Sequence, residues 1–175
     1  RPDLKLIIMS ATLDSDALCT RLNATSISTS GRQHPIEMRY DKRLSSLSPC
    51  ARAPAVILDL FEERHGTLLA FFPGRREIER ASAWLNERAP HLLITPLYGG
   101  LSLRDQARAL DPRAPDRIIL STNIAETSLT IEGVTTVVDT GQVRVSRYDP
   151  KVGFTGLSLA PISTQSSTQR AGRAG

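Results

Sequence analysis

The chain has 175 residues, of which 40% are hydrophobic and 23% charged, and its net charge is +4. This length fits one globular domain, or one domain with part of another, and no apolar run is long enough to cross a bilayer, so we expect a cytoplasmic protein without a membrane role. The basic balance suits an anionic partner such as nucleic acid, although a genomic bias towards arginine is the simpler explanation. Cys19 and Cys50 have neither C-x-x-C spacing nor a histidine cluster beside them, which argues against a metal or redox site.

The first thirty residues contain an apolar run and a short amphipathic segment. Residues 4–9 (LKLIIM) predict a buried strand that ends in Ser10-Ala11-Thr12. Residues 14–23 place Ala17, Leu18 and Leu22 on one face and predict a helix. The polar stretch up to residue 30 then suggests a domain boundary.

We therefore divide the chain into residues 1–30 and residues 31–175. The second part opens with alternating apolar and polar positions over residues 31–40, which predict a half-exposed strand. Residues 44–54 are rich in serine and proline and predict a loop.

From residue 55 onward, helix-length and strand-length segments alternate. The predicted helices are 55–64, 77–88 and 103–110, and the predicted strands are 67–72, 91–96, 117–120 and 134–139. Most of these strands are apolar throughout and are separated by a helix, which predicts an α/β fold with a parallel sheet covered by helices on both faces.

The residue pattern changes in the C-terminal part of the chain. Residues 142–148 and 155–159 alternate around the turn-forming segment 149–153, which predicts a β-hairpin. Residues 163–173 then predict the start of a helix, with Ser163 or Thr164 as its N-cap.

Two segments carry the strongest chemical signal. Ser121–Gly133 (STNIAETSLTIEG) follows an apolar strand and places hydroxyls and an amide where a chain leaving a strand could present them to phosphates. Gln169–Gly175 (QRAGRAG) places two arginines three residues apart among small residues. Arginine suits phosphate because its planar fork can bind two oxygens and stays charged. Both segments therefore indicate contact with a phosphate-bearing ligand.

These two segments resemble the fifth and sixth motifs of DEAH-box ATP-dependent RNA helicases. Three further segments resemble that family in the family's order, namely Ser10-Ala11-Thr12, TLLAFFPGRREIE at residues 67–79 and PLYGGL at residues 96–101. Glu132, where many members have aspartate, is similar to the bacterial HrpB-type branch. The resemblance implies a RecA-like fold, with residues 1–30 as the end of the first RecA-like domain and residues 31–175 as most of the second.

The resemblance also implies roles at an ATP site. Arg173 matches an arginine finger that reaches the γ-phosphate, and Gln169 matches a glutamine that helps to position the attacking water. Ser128, Glu132 and Leu110 match positions near the nucleotide. An arginine at the end of a helix can also simply be solvated.

Other matched positions imply contact with RNA or coupling between domains. Thr122 and Asn123 match positions that hold the RNA sugar-phosphate backbone, and we expect Thr130 to belong to the same surface. Gly74 can permit close approach of a phosphate, with Arg75 supplying charge nearby, or it can simply form a strand-to-helix turn beside an exposed arginine. Hydroxyl and amide groups after a strand can instead cap the next turn. Ser10 and Thr12 match positions that couple nucleotide state to RNA binding, with a local hydrogen-bonded pair as the simpler alternative.

The resemblance implies the cofactors ATP and Mg²⁺ and two partners, RNA and the first RecA-like domain of the same chain. Neither a G-x-x-x-x-G-K-[ST] phosphate loop nor a D-E-A-H segment occurs in residues 1–175, so we expect the ligands of Mg²⁺ to lie outside them and no metal site within them. These residues alone should then not hydrolyse ATP. Two alternatives remain open, a non-enzymatic nucleic-acid-binding module and part of a protein-remodelling ATPase on the same fold.

Overall fold

The computed structural model describes residues 4–9, 15–27, 35–41, 46–114, 116–127, 129–151 and 153–174. The chain forms two compact units, Arg1–Gln33 and His34–Gly175. Among the described residues, no helix combines the length and apolar character needed to cross a bilayer.

The first unit contains helix α1 (Ser15–Leu22), as predicted. Residues 4–9 are exposed and have no regular secondary structure, so the predicted strand is wrong. A buried strand needs a neighbouring strand to bond its main-chain groups, and the described part of this unit offers only α1. Ser10 and Thr12 lie outside the described residues.

The second unit contains five helices and six strands within its described residues. The helices are α2 (Pro49–Glu63), α3 (Arg75–Arg88), α4 (Leu103–Ala109), α5 (Ile124–Thr127) and α6 (Thr164–Ala171). The strands are β1 (Thr67–Phe71), β2 (Leu93–Leu97), β3 (Arg117–Ser121), β4 (Val134–Asp139), β5 (Gln142–Asp149) and β6 (Phe154–Pro161).

A four-stranded parallel sheet in the order β2-β3-β1-β4 forms the centre of this unit. Side chains alternate across the sheet because a strand repeats every two residues. Leu68 and Ala70 of β1 share a core with Ile57 of α2 and Ile78 of α3, and further buried residues join them. On the opposite face, the core contains Leu69, Phe71, Leu97, Ala109, Ile119, Ala125 and Val134. Helices therefore cover both faces of a parallel sheet, which confirms the predicted fold class.

Helix α2 begins six residues before its predicted start at residue 55. Ser48 is its N-cap, and the Ser48 hydroxyl accepts a hydrogen bond from the Ala51 N–H. Pro49 fits the first turn, where an N–H has no partner within the helix. Pro54, however, lies inside the helix and is buried, so the predicted loop over residues 44–54 is wrong from residue 49 onward.

The predicted strand at residues 31–40 is also wrong over its described part. Residues 35–41 are exposed and have no regular secondary structure. Glu37 forms ion pairs with Arg39 and Arg64, at 2.7 and 3.1 Å. The alternation of apolar and polar residues thus does not suffice for a strand here.

The predicted hairpin is confirmed. Strands β5 and β6 pair antiparallel from Gln142–Pro161 to Asp149–Phe154. The Arg144 guanidinium pairs with Glu77 of α3 at 2.8 Å, which ties this hairpin to the sheet layer. Helix α6 follows with Ser163 as its N-cap, also as predicted.

Candidate nucleotide and RNA site

The carboxyl ends of the central strands are bonded to one another. The Ser121 hydroxyl at the end of β3 donates a hydrogen bond to the Leu97 carbonyl at the end of β2, at 3.0 Å. The Phe72 N–H, which follows β1, donates to the Ser121 carbonyl at 2.8 Å. We call this side of the sheet, where β1, β2 and β3 end, the carboxyl edge. In open parallel sheets, ligands bind outside the carboxyl ends of the strands.

The motif Ser121–Gly133 and helix α6, about forty residues apart in sequence, meet beside this edge. The Arg170 guanidinium donates from Nε to Glu126 Oε2 and from Nη1 to Asp139 Oδ1, both at 2.9 Å. Arg170 is only 1% exposed and lies 4.9 Å from the ring centroid of Phe71. One buried arginine therefore joins α5 and the end of β4 to α6.

Arg173 bonds to main-chain carbonyls in and after α5 rather than to carboxylates. Its Nε donates to the Glu126 carbonyl at 2.9 Å and its Nη1 to the Leu129 carbonyl at 3.0 Å, and Nη2 also donates to the Glu126 carbonyl. The side chain is half-buried, and no carboxylate in the described part of the chain forms an ion pair with it. Its positive charge is therefore held by neutral acceptors and can still attract an anion. Gln169, also half-buried, lies in the last turn of α6.

Thr122 and Asn123 lie directly after β3. Their main-chain oxygens accept hydrogen bonds from the N–H groups of Ala125 and Glu126, at 3.3 and 3.0 Å, and so begin α5. The first turn of α5 is thus closed by the main-chain oxygens of Thr122 and Asn123. Thr122 is half-buried and Asn123 is exposed.

The loop between α5 and β4 leads back across the sheet. Thr130 and Glu132 are exposed on it, while its neighbours Leu129 and Ile131 pack on the same core as Leu110. Leu110 is the C-cap of α4, and the next residue, Asp111, bonds through its carbonyl to Arg117 at the start of β3. Leu110 thus packs on this face of the sheet near the start of β3, whereas Glu132 is exposed on the loop that precedes β4. Ser128 lies outside the described residues.

Gly74 and Arg75 lie at the start of α3, beyond the end of β1. A Cβ atom at Gly74 would be 3.0 Å from Arg144 Nε and from Glu77 Oε2, so a larger residue would displace that ion pair. Arg75 pairs with Glu79 at 2.6 Å and lies 5.6 Å from the ring centroid of Tyr98. A larger residue at position 74 therefore requires the side chains of Arg144 and Glu77 to shift by a few tenths of an ångström.

Sequence reasoning missed Glu126 and Asp139, which share Arg170. The sequence held no direct signal for them, because a buried arginine needs carboxylates or other acceptors but the burial of Arg170 is visible only in the structure. Among the described residues, no group of three His, Cys, Asp or Glu side chains could hold a metal ion.

The family model described as the helicase conserved C-terminal domain matches residues 52–175. The whole chain is 45% identical to the ATP-dependent RNA helicase HrpB of Escherichia coli and 40% identical to HrpA of the same organism, and it covers 22% and 14% of their lengths. It is also 40% identical to the pre-mRNA-splicing factor ATP-dependent RNA helicase prp22 of Schizosaccharomyces pombe, of which it covers 16%.

Two solved structures are similar to the chain over 99–100% of its length. The crystal structure of the E. coli DExH-box NTPase HrpB has a TM-score of 0.86, and that of the E. coli DEAH/RHA helicase HrpB has a TM-score of 0.88, both at 45% identity. The chain spans 22% and 23% of those two chains. It therefore belongs to the helicase conserved C-terminal domain family and, within it, to the DEAH-box, HrpB-type branch.

Proposed function

We propose that residues 31–175 are the second RecA-like domain of a cytoplasmic ATP-dependent RNA helicase, and that residues 1–30 are the end of the first. The observation that carries this proposal is the meeting of Ser121–Gly133 with α6 through Arg170 and Arg173. Two segments that are distant in sequence and suited to bind phosphate thereby lie next to each other. The relatives' names, which specify ATP-dependent RNA helicases, support the same proposal.

Arg173 acts as the arginine finger of the complete protein. When ATP is bound between the two domains, the guanidinium keeps its bonds to the carbonyls of Glu126 and Leu129 and donates its remaining N–H groups to the γ-phosphate oxygens. Such a group stabilises the charge on the transferred phosphoryl group, an effect of roughly 10³ to 10⁵ in rate. Gln169 positions the attacking water.

Ser128, Glu132 and Leu110 contact the nucleotide. Leu110 covers a purine face without aromatic stacking, which predicts weak discrimination between bases. Ser10 and Thr12 couple the state of this nucleotide to RNA binding.

RNA lies along the carboxyl edge. Thr122 and Asn123, whose main-chain oxygens are used by α5, offer their side-chain polar groups to the sugar-phosphate backbone. Thr130, Gly74 and Arg75 contribute to the same surface. Backbone contacts carry no base information, which suits an enzyme that moves along any sequence.

The residues for the rest of the chemistry lie in the first domain of the complete protein. A phosphate-loop lysine and the carboxylates that hold Mg²⁺ are absent from residues 1–175. Mg²⁺ would supply neutralisation of the phosphate charge. Residues 1–175 alone therefore bind ATP poorly and do not hydrolyse it.

ATP turnover by the full-length protein, measured against RNA concentration, tests this function. Thr122→Val removes one hydroxyl contact and should raise the RNA concentration for half-maximal stimulation about fivefold, the equivalent of roughly 1 kcal/mol. Thr135→Val, which alters an exposed threonine near the start of β4, is the matched control and should leave it unchanged.

The alternatives predict other results. Turnover that does not depend on RNA and is unaffected by Thr122→Val indicates a protein-remodelling ATPase. Salt-dependent RNA binding without any ATP turnover indicates a non-enzymatic binding module.

A further inference from the structure

We propose that Glu126, Arg170 and Asp139 form a positioning clamp for Arg173, so that all three residues set the rate of ATP turnover without touching ATP. This inference rests on the proposed function of Arg173. The group formed by these three side chains is called the clamp below.

The geometry of the clamp fixes three elements at once. Arg170 uses two separate nitrogens of its fork, Nε for Glu126 on α5 and Nη1 for Asp139 at the end of β4. Glu126 has a second donor, the Ser166 hydroxyl at 2.8 Å, and Asp139 Oδ1 also accepts the Gly141 N–H at 2.8 Å. A lysine in place of Arg170 would keep the charge, but a single ammonium lacks this planar fork.

The three side chains of the clamp have limited contact with solvent. Arg170 is 1% exposed, and the side chains of Glu126 and Asp139 are 12% and 21% exposed. Removing one partner leaves a charge with little solvent, which is unfavourable, so the three groups are held together in one arrangement.

The clamp reaches Arg173 by a short path. The side chain of Glu126 is bound by Arg170, while the main-chain carbonyl of the same residue accepts from Arg173 Nε. Arg170 and Arg173 are also joined directly, because the Arg173 N–H donates to the Arg170 carbonyl at 3.1 Å. Both the base of the Arg173 side chain and its acceptor are thus fixed by the clamp.

Glu126 is also bonded to one of the proposed RNA contacts. The Glu126 N–H donates to the Asn123 carbonyl at 3.0 Å, so a shift of α5 would move Asn123 and Arg173 together. The clamp is therefore placed where the position of the RNA-binding turn can affect the position of the arginine finger.

Steady-state ATP turnover by the full-length protein, with and without RNA, tests the clamp. We expect Arg170→Lys to lower kcat roughly 10- to 100-fold, the range expected from misplacing a catalytic group by about an ångström, with KM for ATP unchanged. Ser166→Ala removes one donor from Glu126 and should lower kcat in the same sense by less. Arg64→Lys, at the exposed ion pair with Glu37, is the matched control and should leave kcat unchanged.

A thermal unfolding curve accompanies each variant. If Arg170→Lys and Ser166→Ala are folded and keep the wild-type kcat, Arg170 serves stability alone and the clamp is overturned. Where Arg170→Lys fails to fold, Ser166→Ala and Asp139→Asn decide, and an unchanged kcat in both overturns the clamp.

Arg173→Ala distinguishes a failure of the clamp from a failure of the proposed function of Arg173. Loss of turnover in Arg173→Ala together with normal kcat in the clamp variants contradicts the clamp only. Normal turnover in Arg173→Ala contradicts the proposed function.

Discussion

The two ends of the parallel sheet each contain a buried arginine, and the two are stabilised in different ways. Arg170, beside the carboxyl edge, is 1% exposed and is paired with Glu126 and Asp139. Arg117, at the start of β3, is 2% exposed, and its Nη1 donates to the main-chain carbonyl of Asp111 at 2.6 Å. Among the described residues, Arg117 Nε has no hydrogen-bond partner.

The charge of Arg170 is thus compensated by two carboxylates, whereas the charge of Arg117 is buried without comparable compensation. Burial lowers the pKa of Arg117, which shows that its charged form is less well solvated than usual, while the charge of Asp111 opposes that shift. The charge of Arg170 instead holds two carboxylates from separate elements. We therefore expect the stability of the carboxyl edge to depend on its buried arginine more than that of the amino end does.

Arg170→Met should produce the largest loss of stability. It leaves the partly exposed carboxylates of Glu126 and Asp139 without their shared cation, so we expect the free energy of unfolding to fall by about 3 kcal/mol, the lower end of the range for a buried ion pair. Urea denaturation of the chain, followed by circular dichroism, measures the effect. Arg173→Met, which breaks bonds to neutral carbonyls only, should cost about 1 kcal/mol. Equal losses in the two variants would contradict the distinction between these arginines.

Ser163→Ala loosens the helix that carries Arg170 without changing any charge. The Ser163 hydroxyl accepts the Ser166 N–H at 3.1 Å, and loss of such a cap costs about 1 kcal/mol. The same denaturation experiment measures it, with Ser48→Ala at the N-cap of α2 as the matched control. An effect as large as that of Arg170→Met would show that helix capping, not charge, controls this region.

Arg117→Met should have the smallest effect. The substitution removes a poorly solvated charge and leaves one carbonyl without its donor, so we expect a change in unfolding free energy of less than about 1 kcal/mol in either direction. A loss comparable to that of Arg170→Met would show that the amino end also depends on its buried arginine.

Periodicity predicted most of the second unit because its signals are local. The continuous apolar runs at β1 and β3 and the alternation at β5 and β6 each follow from how a strand presents its side chains. The start of α2 was missed because Pro54 argues against a helix, although Ser48 and Pro49 form a suitable N-terminus. Residues 4–9 have the composition of a strand, but composition cannot supply a neighbouring strand.

The site was less predictable than the fold. The motifs identified Arg170 and Arg173 together, yet nothing in their spacing shows that one is buried between two carboxylates and the other bound to carbonyls. Glu126 and Asp139 were missed because their partner, Arg170, lies 44 and 31 residues away in the sequence. Long-range pairing of this kind is decided by packing, which a linear pattern does not contain.

The most direct test of the account is the kcat of ATP turnover by the full-length protein, at saturating ATP and RNA, with Arg173→Ala. Because Arg173 is not one of the three charged side chains of the clamp, we expect the variant to fold as the wild type does. The account predicts that kcat falls roughly 10³-fold or more, as expected when an arginine finger is removed. A folded Arg173→Ala protein that keeps the wild-type kcat would contradict it.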